Sequence, residues 1–229
     1  MQTREALRTT GAVREFDATP VDRRTIYELL DAARFAPSGG NRQCWRVVVV
    51  EDPATRRALR DAYLPGWYEY LALARAGLVP FSVFADRDEE AVALLDAPAI
   101  ASRAAEGGGG FAEHLDEVPA LLVVLADLRN VAAMDRGDGA TTFVGGASVY
   151  PFAWSILLAA RDAGLGGVLT TMVRRRDDDV RTLLACQPYH EVACVIALGT
   201  PIARATKLTR SAVETFATID AVDGAPLEP

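Results

Sequence analysis

The segment from Ala36 to Val50, APSGGNRQCWRVVVV, constrains the fold more than any other part of the chain. A helix must end at its start, because Pro37 lacks a backbone N–H and disfavours helical backbone in the residue before it. Residues 38–43 then form a polar turn with two glycines. Trp45–Val50 is apolar except for Arg46 and rich in β-branched residues, a pattern typical of a strand covered on both faces. The segment therefore predicts a helix, a turn and a core strand in direct succession.

The polar turn allows two interpretations. It collects a hydroxyl, two side-chain amides, a guanidinium and two flexible glycines in Ser38, Gly39, Gly40, Asn41, Arg42 and Gln43. A loop so rich in hydrogen-bonding groups, held between a helix and a strand, can bind a flat polar heterocycle. Its length and residue types suit an ordinary helix-to-strand connection equally well. The loop residues alone leave both interpretations open.

The composition limits the class of protein. The chain has 229 residues, half of them hydrophobic, which is enough for one sizeable core or two small ones. Its formal net charge is -7 and its basic residues form no tract, which argues against a nucleic-acid partner. No apolar run reaches the length of a membrane span, and the N-terminus shows no secretion leader. We therefore expect a cytoplasmic protein without a membrane partner.

The three cysteines could be metal ligands or buried thiols. Cys186, His190 and Cys194 are spaced by four residues, a spacing that would suit metal ligands on a helix. However, Gln187-Pro188 interrupts any helix there, and Cys194 lies in an apolar stretch that predicts a strand. Together with Cys44 they form an odd set without close pairing, which suits a reducing compartment. Buried thiols are the favoured interpretation, and no metal site is expected.

Hydrophobic patterning and turn residues predict an α/β or α+β layered domain with at least four strands. Strands are expected at 45–51, 121–126, 168–173 and 192–198. Helices are expected after the N-cap Asp22, after the N-cap Asp52 with an interruption at Pro65-Gly66 and a resumption to Ala76, over Gly146–Ala163 and over Asp177–Ala185. Residues 77–117 are predicted to be irregular, with a mobile loop at Gly107–Gly110.

Several enzyme classes do not match the sequence. A Ser-His-Asp hydrolase is disfavoured because the chain has only two histidines and no Gly-x-Ser-x-Gly motif. A Rossmann site needs its glycines between a strand and a helix, whereas Gly164–Gly167 follows a helix and precedes a strand, where a glycine helix cap is expected. Three cations are more suggestive. Arg14 in AVREF, and Lys207 and Arg210 in KLTR, can bind a phosphate or remain solvated surface charges.

Taken together, these segments resemble the nitroreductase family of flavin oxidoreductases. AVREF, APSGGNRQCWRVVVV, an apolar helix ending in AGLGGVLTT, a strand closing in LGTP, and KLTR occur in the family's order. The resemblance implies a three-layer α/β/α fold of the α+β class with a central, mostly antiparallel sheet. It also implies a homodimer. The C-terminal tail is long and has an apolar patch, Val213–Ile219, so we expect it to pack on the partner subunit. Residues 1–229 would form one domain, with a variable, lid-like insert at about 60–118, where the resemblance is weak.

The resemblance also implies one FMN at each of two subunit interfaces, held by residues carried over one by one. Arg14 matches the arginine that contacts the flavin phosphate or ribityl chain, and Lys207 and Arg210 match basic residues near the phosphate. Leu169 and Thr170 lie where a backbone N–H meets flavin N5. The matching residues of the polar turn would reach the flavin from the partner subunit through the side chains of Ser38, Asn41 and Gln43, with Gly39, Gly40 and Arg42 nearby. One departure is Cys44, which stands where the family commonly has proline.

The implied activity is ping-pong transfer of reducing equivalents from NADPH or NADH to a nitroaromatic, a quinone or a similar acceptor. No catalytic side chain is expected, because flavin carries the chemistry and the protein supplies orientation and electrostatics. Alternatives are dehalogenation or flavin destruction on the same fold, and a flavin-sequestering protein with a covered pocket. Aromatic residues of the insert could shape the acceptor pocket, although core packing is the more common role for any one of Trp67, Tyr68, Tyr70, Phe81, Phe84 and Phe111.

Overall fold

The computed structural model describes residues 1–135, 143–205 and 208–229. These residues form seven α-helices: α1 (Thr3–Thr9), α2 (Arg23–Ala33), α3 (Pro53–Arg75), α4 (Arg87–Leu94), α5 (Ala97–Glu106), α6 (Tyr150–Asp162) and α7 (Asp177–Leu183). The strands are β1 (Trp45–Val49), β2 (Ala120–Asp127), β3 (Gly166–Thr170) and β4 (His190–Gly199). Short 3-10 turns occur at Gly39–Asn41, Leu115–Glu117, Gly145–Ser148, Met172–Arg176 and Val213–Thr215.

The four strands form one antiparallel sheet in the order β1-β2-β4-β3. A single parallel bridge, Ala12 to Gly167, attaches the N-terminal segment beside β3. The prediction of an α+β fold with a mostly antiparallel sheet is therefore confirmed. Within the described residues, no helix is long and apolar enough to cross a membrane.

The two sheet faces carry two hydrophobic cores because side chains alternate along each strand. Leu122 and Val124 of β2 face a core with α2 and α6, whereas Leu121 and Val123 face a core with α3 and α7. Strand β2 is buried along its whole length. The edge strand β1 is only partly covered, so the prediction that Trp45–Val50 is buried on both faces is wrong for this strand. Its apolar residues lie at a sheet edge with a second strand on one side only.

Helix α3 is continuous through Pro65-Gly66, where the sequence predicted an interruption. Packing explains the difference. A Cβ at Gly66 would lie 2.8 Å from the carbonyl oxygen of Met172, so the glycine lets the helix approach the 3-10 turn at Met172–Arg176 closely. The burial of α3 residues on both sides of Pro65, including Tyr63 and Leu73, keeps the helix in place without the backbone bond that proline cannot make.

Residues 77–117 are not irregular, because they contain α4 and α5. The side chain of Asp86 caps α4 by accepting hydrogen bonds from the N–H groups of Asp88 and Glu89. Helix α5 begins with a proline in its first turn, Pro98. Both residues are local signals of a helix start. The prediction of an irregular segment overlooked them because the stretch is rich in glycine and only weakly amphipathic. Positive φ angles at Gly108 and Gly109 form the turn that follows α5.

The glycine cluster before β3 serves two purposes. Gly164 ends α6 with a φ of +82°, which agrees with the expected glycine cap. Gly166 and Gly167 belong to β3 instead, since a Cβ at Gly167 would lie 2.5 Å from the side chain of Leu198. The predicted strand 168–173 is therefore shifted, and the predicted helix 146–163 begins only at Tyr150, after a 3-10 turn.

The cysteines are free thiols. Cys44 and Cys194 are buried, and burial raises the pKa of the Cys194 thiol to about 12. Cys186 is half-buried. No group of three or more potential ligands occurs within residues 1–135, 143–205 and 208–229 in an arrangement that could hold a metal ion. The cysteines thus have the surroundings of structural thiols.

Candidate functional site

A cavity of about 770 Å³ opens between α3, the end of β3 and the glycine turn after α5. Such a volume is in the ordinary range for sites that hold a cofactor or a small ligand. The cavity is lined by Arg14, Tyr63, Trp67, Tyr70, Leu71, Ala104, Gly107, Gly109, Gly110, Phe111, Ala112, Glu113, Val168, Leu169, Thr170, Thr171 and Met172. Three of the eleven residues assigned from the sequence, Arg14, Leu169 and Thr170, are among them.

Backbone donors are available where β3 ends. The N–H groups of Thr171 and Met172 donate to no oxygen of the described residues, because β3 has ended and the 3-10 turn is only beginning. Beside them, the hydroxyl of Thr170 donates a hydrogen bond to the phenolic oxygen of Tyr63 at 3.3 Å. The cavity floor thus combines unused N–H donors with a side chain anchored to α3, an arrangement that can hydrogen-bond a polar ring edge.

Arg14 contributes an unpaired positive charge. Its neighbours are fixed by backbone hydrogen bonds, from Val13 N–H to Gly167 and from Ile202 N–H to Glu15. The exposed Arg14 side chain itself has no hydrogen bond or ion pair with the part of the chain that the structure describes. A guanidinium without a protein partner at a cavity wall is suited to bind a phosphate in bidentate fashion.

Burial raises the pKa of two tyrosines on α3, Tyr63 in the cavity lining and Tyr68 near Glu113. Burial raises the pKa of Tyr63, and the charges of Arg14 and Glu113 act on it in opposite directions. Burial, reinforced by a hydrogen bond with Glu113 and by its charge, raises the pKa of Tyr68 to about 12. Both phenols therefore remain neutral at ordinary pH and serve as hydrogen-bonding groups.

Aromatic side chains form one wall. The rings of Trp67 and Tyr70 are stacked on α3, with centroids 5.5 Å apart and planes 7° from parallel, and Phe111 lines the same cavity. The other aromatic candidates of the insert lie elsewhere. Phe81 packs beneath the guanidinium of Arg175, and Phe84 is 95% exposed, so core packing is wrong for it.

The polar turn 38–43 is a tightly folded loop. Ser38 Oγ accepts a hydrogen bond from Gln43 N–H, and Gly39 N–H donates to Ser148 Oγ at 3.0 Å. Positive φ angles at Gly40, Asn41 and Gln43 close the turn. The two non-glycine cases imply a strained backbone, a state often found at functional loops. The amides of Asn41 and Gln43 lie within 3.3 Å of each other, and Arg42 is exposed.

The strand after this turn is attached to an ionic cluster. Asp127 N–H donates to the carbonyl of Cys44 at 2.6 Å. The buried Asp127 carboxylate accepts two hydrogen bonds from the Arg129 guanidinium and one from Arg46. Hydrogen bonding from Arg129 lowers the pKa of Asp127 to about 2. The guanidinium of Arg129 also lies 3.6 Å above the ring of Tyr189. The cluster fixes the position at which the loop enters β1.

One chain does not bring the polar turn and the cavity together. The turn is attached to Ser148 on the sheet face covered by α6, whereas Tyr63 and Val168 of the cavity belong to the opposite face. The polar turn leads into β1, and the cavity lies at the end of β3. These two strands are the opposite edges of the sheet, roughly 14 Å apart at the usual strand spacing. None of residues 38–43 lines the cavity.

Of the two C-terminal basic residues, Arg210 does not line this cavity. Arg210 is exposed and, among the described residues, donates only to the carbonyl of Thr209. Lys207 lies outside the described residues. The neighbouring Leu208 packs against Gly11, where a Cβ would lie 2.8 Å from its side chain, so the tail passes close to the N-terminal segment that carries Arg14.

Sequence reasoning missed several residues of the cavity, notably Tyr63, Glu113, Thr171 and Met172. A signal for part of this set was present. Tyr63, Trp67 and Tyr70 are spaced by four and three residues, which places them on one face of a helix. The assumed interruption at Pro65 concealed that spacing. Nothing local marks Glu113, since its position depends on the fold of the turn after α5.

Comparison with known proteins gives the following relatives. The nitroreductase family model matches residues 7–200. An NADH dehydrogenase from Thermus thermophilus is 51% identical over 51 residues, which are 22% of this chain and 25% of that protein. A BluB-like flavoprotein from Clostridium difficile has a TM-score of 0.69 at 18% identity, covering 96% of this chain and 100% of that one. An iodotyrosine deiodinase structure with FMN and 3-iodo-L-tyrosine has a TM-score of 0.62 at 20% identity, covering 93% and 96%.

The curated relative is thus matched over only a quarter of its length, and the two structures share the fold at low identity. The family match, in contrast, spans most of the chain and includes Arg14, the polar turn and β3. With its antiparallel sheet, helices on both faces and a cavity at the end of β3, the chain belongs to the nitroreductase family.

Proposed function

We propose that the protein is an FMN-dependent oxidoreductase that transfers reducing equivalents from NADH or NADPH to an electron-poor acceptor. One observation carries the proposal: the unpaired guanidinium of Arg14 shares a cavity of about 770 Å³ with the unused N–H groups of Thr171 and Met172. A phosphate-bearing flat heterocycle needs both kinds of group. The names of relatives agree with it, since one is an NADH dehydrogenase and another is bound to FMN.

The residues of this chain fit FMN if two copies share each site. Arg14 would bind the phosphate, and the Thr171 and Met172 N–H groups would bind the polar edge of the ring. The polar turn would reach the same ring from the partner subunit, because within one chain it lies on the other sheet face. Exposed apolar side chains support such an assembly: Trp154 on α6, and Phe216, Ile219 and Val222 in the tail, are 38%, 70%, 49% and 99% exposed.

FMN, held by Arg14 and the N–H groups of Thr171 and Met172, would supply two-electron redox chemistry between the nicotinamide and the acceptor. The balance for a quinone is NAD(P)H + H⁺ + quinone giving NAD(P)⁺ + hydroquinone. For a nitroaromatic, NAD(P)H + H⁺ + R–NO₂ gives NAD(P)⁺ + R–NO + H₂O. The chain's contribution is binding and orientation: Arg14 holds a charge, the β3 end supplies N–H donors, and the aromatic wall of Trp67, Tyr70 and Phe111 covers a planar acceptor.

A flavin-sequestering protein is the second candidate. It would require the 60–118 insert to fill the acceptor space. The cavity argues for turnover instead, because about 770 Å³ stays open although residues of the insert such as Trp67, Tyr70 and Phe111 line it. Flavin destruction and dehalogenation, suggested by the BluB-like and deiodinase relatives, would use the same cavity with different acceptors.

Anaerobic stopped-flow mixing tests the proposal. Purified protein saturated with FMN is mixed with excess NADH or NADPH, and the flavin absorbance is followed. We expect bleaching within seconds, and recovery of the absorbance when 1,4-benzoquinone is added. If neither nucleotide bleaches the flavin within minutes while dithionite does, the oxidoreductase proposal is wrong and sequestration replaces it. If the protein does not retain FMN at all, both are wrong.

A further inference from the structure

The cavity has an uneven charge distribution that bears on which acceptors it takes. Arg14 and Glu113 are the two charged side chains among its described lining residues. The other lining residues are aromatic, aliphatic, glycine or hydroxyl-bearing. On the proposed function, on which this inference rests, the Arg14 charge is used by the flavin phosphate. Glu113 is then the charge that remains for an acceptor to meet.

The Glu113 carboxylate is fixed in place. Its Oε2 accepts a hydrogen bond from Gly110 N–H at 2.7 Å. The turn is shaped around this side chain, because a Cβ at Gly109 would lie 2.5 Å from Glu113 Cβ. Gly109 also has a φ of +70°, which a residue with a side chain rarely adopts. A fixed carboxylate can discriminate ligands, whereas a freely rotating one would adapt to them.

The negative charge of Glu113 is not cancelled nearby. It forms no ion pair within residues 1–135, 143–205 and 208–229. A carboxylate offers about four acceptor positions, and the Gly110 N–H uses one of them, so a ligand can donate to the others. An adjoining groove, which shares Arg14, Gly110 and Phe111 with the cavity, adds further acidic groups and one histidine: Glu15, Asp17, Glu117 and His114.

The aromatic wall favours the same kind of ligand. Trp67, Tyr70 and Phe111 offer ring faces that attract a cation as well as a planar ring. A carboxylate on the acceptor would meet the opposite: repulsion from Glu113 and no free cation, once Arg14 is occupied.

We propose that this cavity selects aromatic acceptors that carry an ammonium group or strong N–H donors, and rejects aromatic carboxylates, with Glu113 as the specificity-determining residue. The reducible group lies on the ring and the cationic arm reaches Glu113. The reaction itself is the one written above. The new element is the charge of the acceptor that the site accepts.

The test compares three nitroaromatics that differ only in one substituent: 4-nitrobenzylamine (a cation at pH 7), 4-nitrobenzyl alcohol (neutral) and 4-nitrobenzoate (an anion). We expect kcat/KM with FMN-saturated enzyme to be at least about tenfold higher for the amine than for the benzoate, the size of one charge-assisted hydrogen bond. The preference should shrink as NaCl is added to the native enzyme. Calorimetry with unreactive benzylamine and benzoate measures the same preference without turnover.

Glu113→Gln keeps an acceptor for Gly110 N–H and removes the charge, so the amine preference should fall to within about threefold. Glu106→Gln is the matched control. It makes the same change in net charge at an exposed residue at the end of α5 that does not line the cavity, and it should retain the preference. Three results would overturn the inference. The native protein could use and bind the anion as well as the amine or better, Glu113→Gln could keep the preference for the amine, or both variants could lose that preference equally. Absence of turnover with all three acceptors would overturn the proposed function and, with it, the selection of acceptors; selective binding of benzylamine in that case would show only that Glu113 selects the charge of a bound ligand.

Discussion

The hydroxyl of Thr170 donates a 3.3 Å hydrogen bond to the phenolic oxygen of the buried Tyr63, which joins the end of β3 to α3 across the cavity. The two residues are 107 positions apart in sequence. This bond sets the distance between the aromatic wall on α3 and the N–H donors after β3. It connects the parts of the cavity that must keep a constant spacing to hold a flat ligand.

Replacing Tyr63 with phenylalanine removes this bond and keeps the ring. Loss of one buried hydrogen bond lowers the free energy of unfolding by about 0.5–1.5 kcal/mol, which corresponds to a decrease in Tm of roughly 2–4 °C per kcal/mol for a chain of this size. Differential scanning fluorimetry measures the decrease. Tyr27→Phe, at a side chain that is 71% exposed, is the control and should leave Tm unchanged. Equal Tm values for both variants would show that the bond does not contribute.

Arg14→Ala should weaken FMN binding by about ten- to a hundredfold, because a charge-assisted hydrogen bond to phosphate contributes roughly 1.5–3 kcal/mol. The fold should be little affected, since Arg14 has no partner among the described residues. Fluorescence titration of apoprotein with FMN measures the dissociation constant. The control is Arg8→Ala, which removes the same charge from exposed α1. If both variants bind FMN with the same affinity, Arg14 is a solvated surface cation and does not bind the phosphate.

The Asp127 carboxylate makes the free energy of unfolding depend on pH in the acidic range. Its pKa is lowered to about 2 by hydrogen bonds from Arg129, so it stabilises the native state above its unfolded pKa near 3.9. This contribution is lost as the pH falls through about 2. Asp127→Asn should lower the urea midpoint markedly at neutral pH, and the difference from the native protein should narrow below pH 4. Asp31→Asn, which breaks an exposed pair with Arg34, is the control and should change little. A difference that is constant down to pH 2 contradicts the assignment.

His114 should titrate above the ordinary histidine range. Its Nε2 lies 2.7 Å from the carbonyl of Gly108, and that hydrogen bond, assisted by Glu117, raises its pKa. The extra stability that comes with the raised pKa of His114 is therefore fully present below pH about 6.5 and is lost as the pH rises through the higher folded pKa. Proton NMR can follow both histidines of the chain, His114 and His190. Glu117→Gln should move the His114 midpoint down and leave that of His190 unchanged. A native His114 midpoint at or below 6.5 would be inconsistent with the structure.

Local signals predicted the elements that local chemistry determines. Asp22 and Asp52 were predicted as N-caps, and each accepts a hydrogen bond from the N–H three residues on, at Thr25 and Thr55. The uniform apolar run at 121–126 predicted the central strand correctly. Interactions between distant segments decided the rest. Gly66 leaves room for the close approach of the Met172 carbonyl to α3, and no pattern within α3 contains that information.

The residues of the candidate site also fall into two groups, those that local sequence signals predict and those that only the fold brings to the cavity. Arg14, Leu169 and Thr170 were found because they are adjacent to recognisable strands or motifs. Glu113 and Met172 join the cavity through folding of the 60–118 region and the turn after β3, which no motif describes. The polar turn was predicted to act from a partner subunit, and its place on the opposite sheet face within one chain leaves that prediction consistent with the geometry but untested.

Subunit complementation tests whether two chains share each flavin site. One variant is Arg14→Ala, and the other carries Ser38→Ala, Asn41→Ala and Gln43→Ala together. Each alone should bind little FMN at a limiting concentration. After the two are unfolded, mixed in equal amounts and refolded, half of the dimers pair one chain of each kind, and each such dimer has one intact site. We expect recovery of about a quarter of the native FMN-binding capacity, with NADH-dependent bleaching in that fraction. No recovery beyond that of the separate variants, with dimers formed, would contradict it.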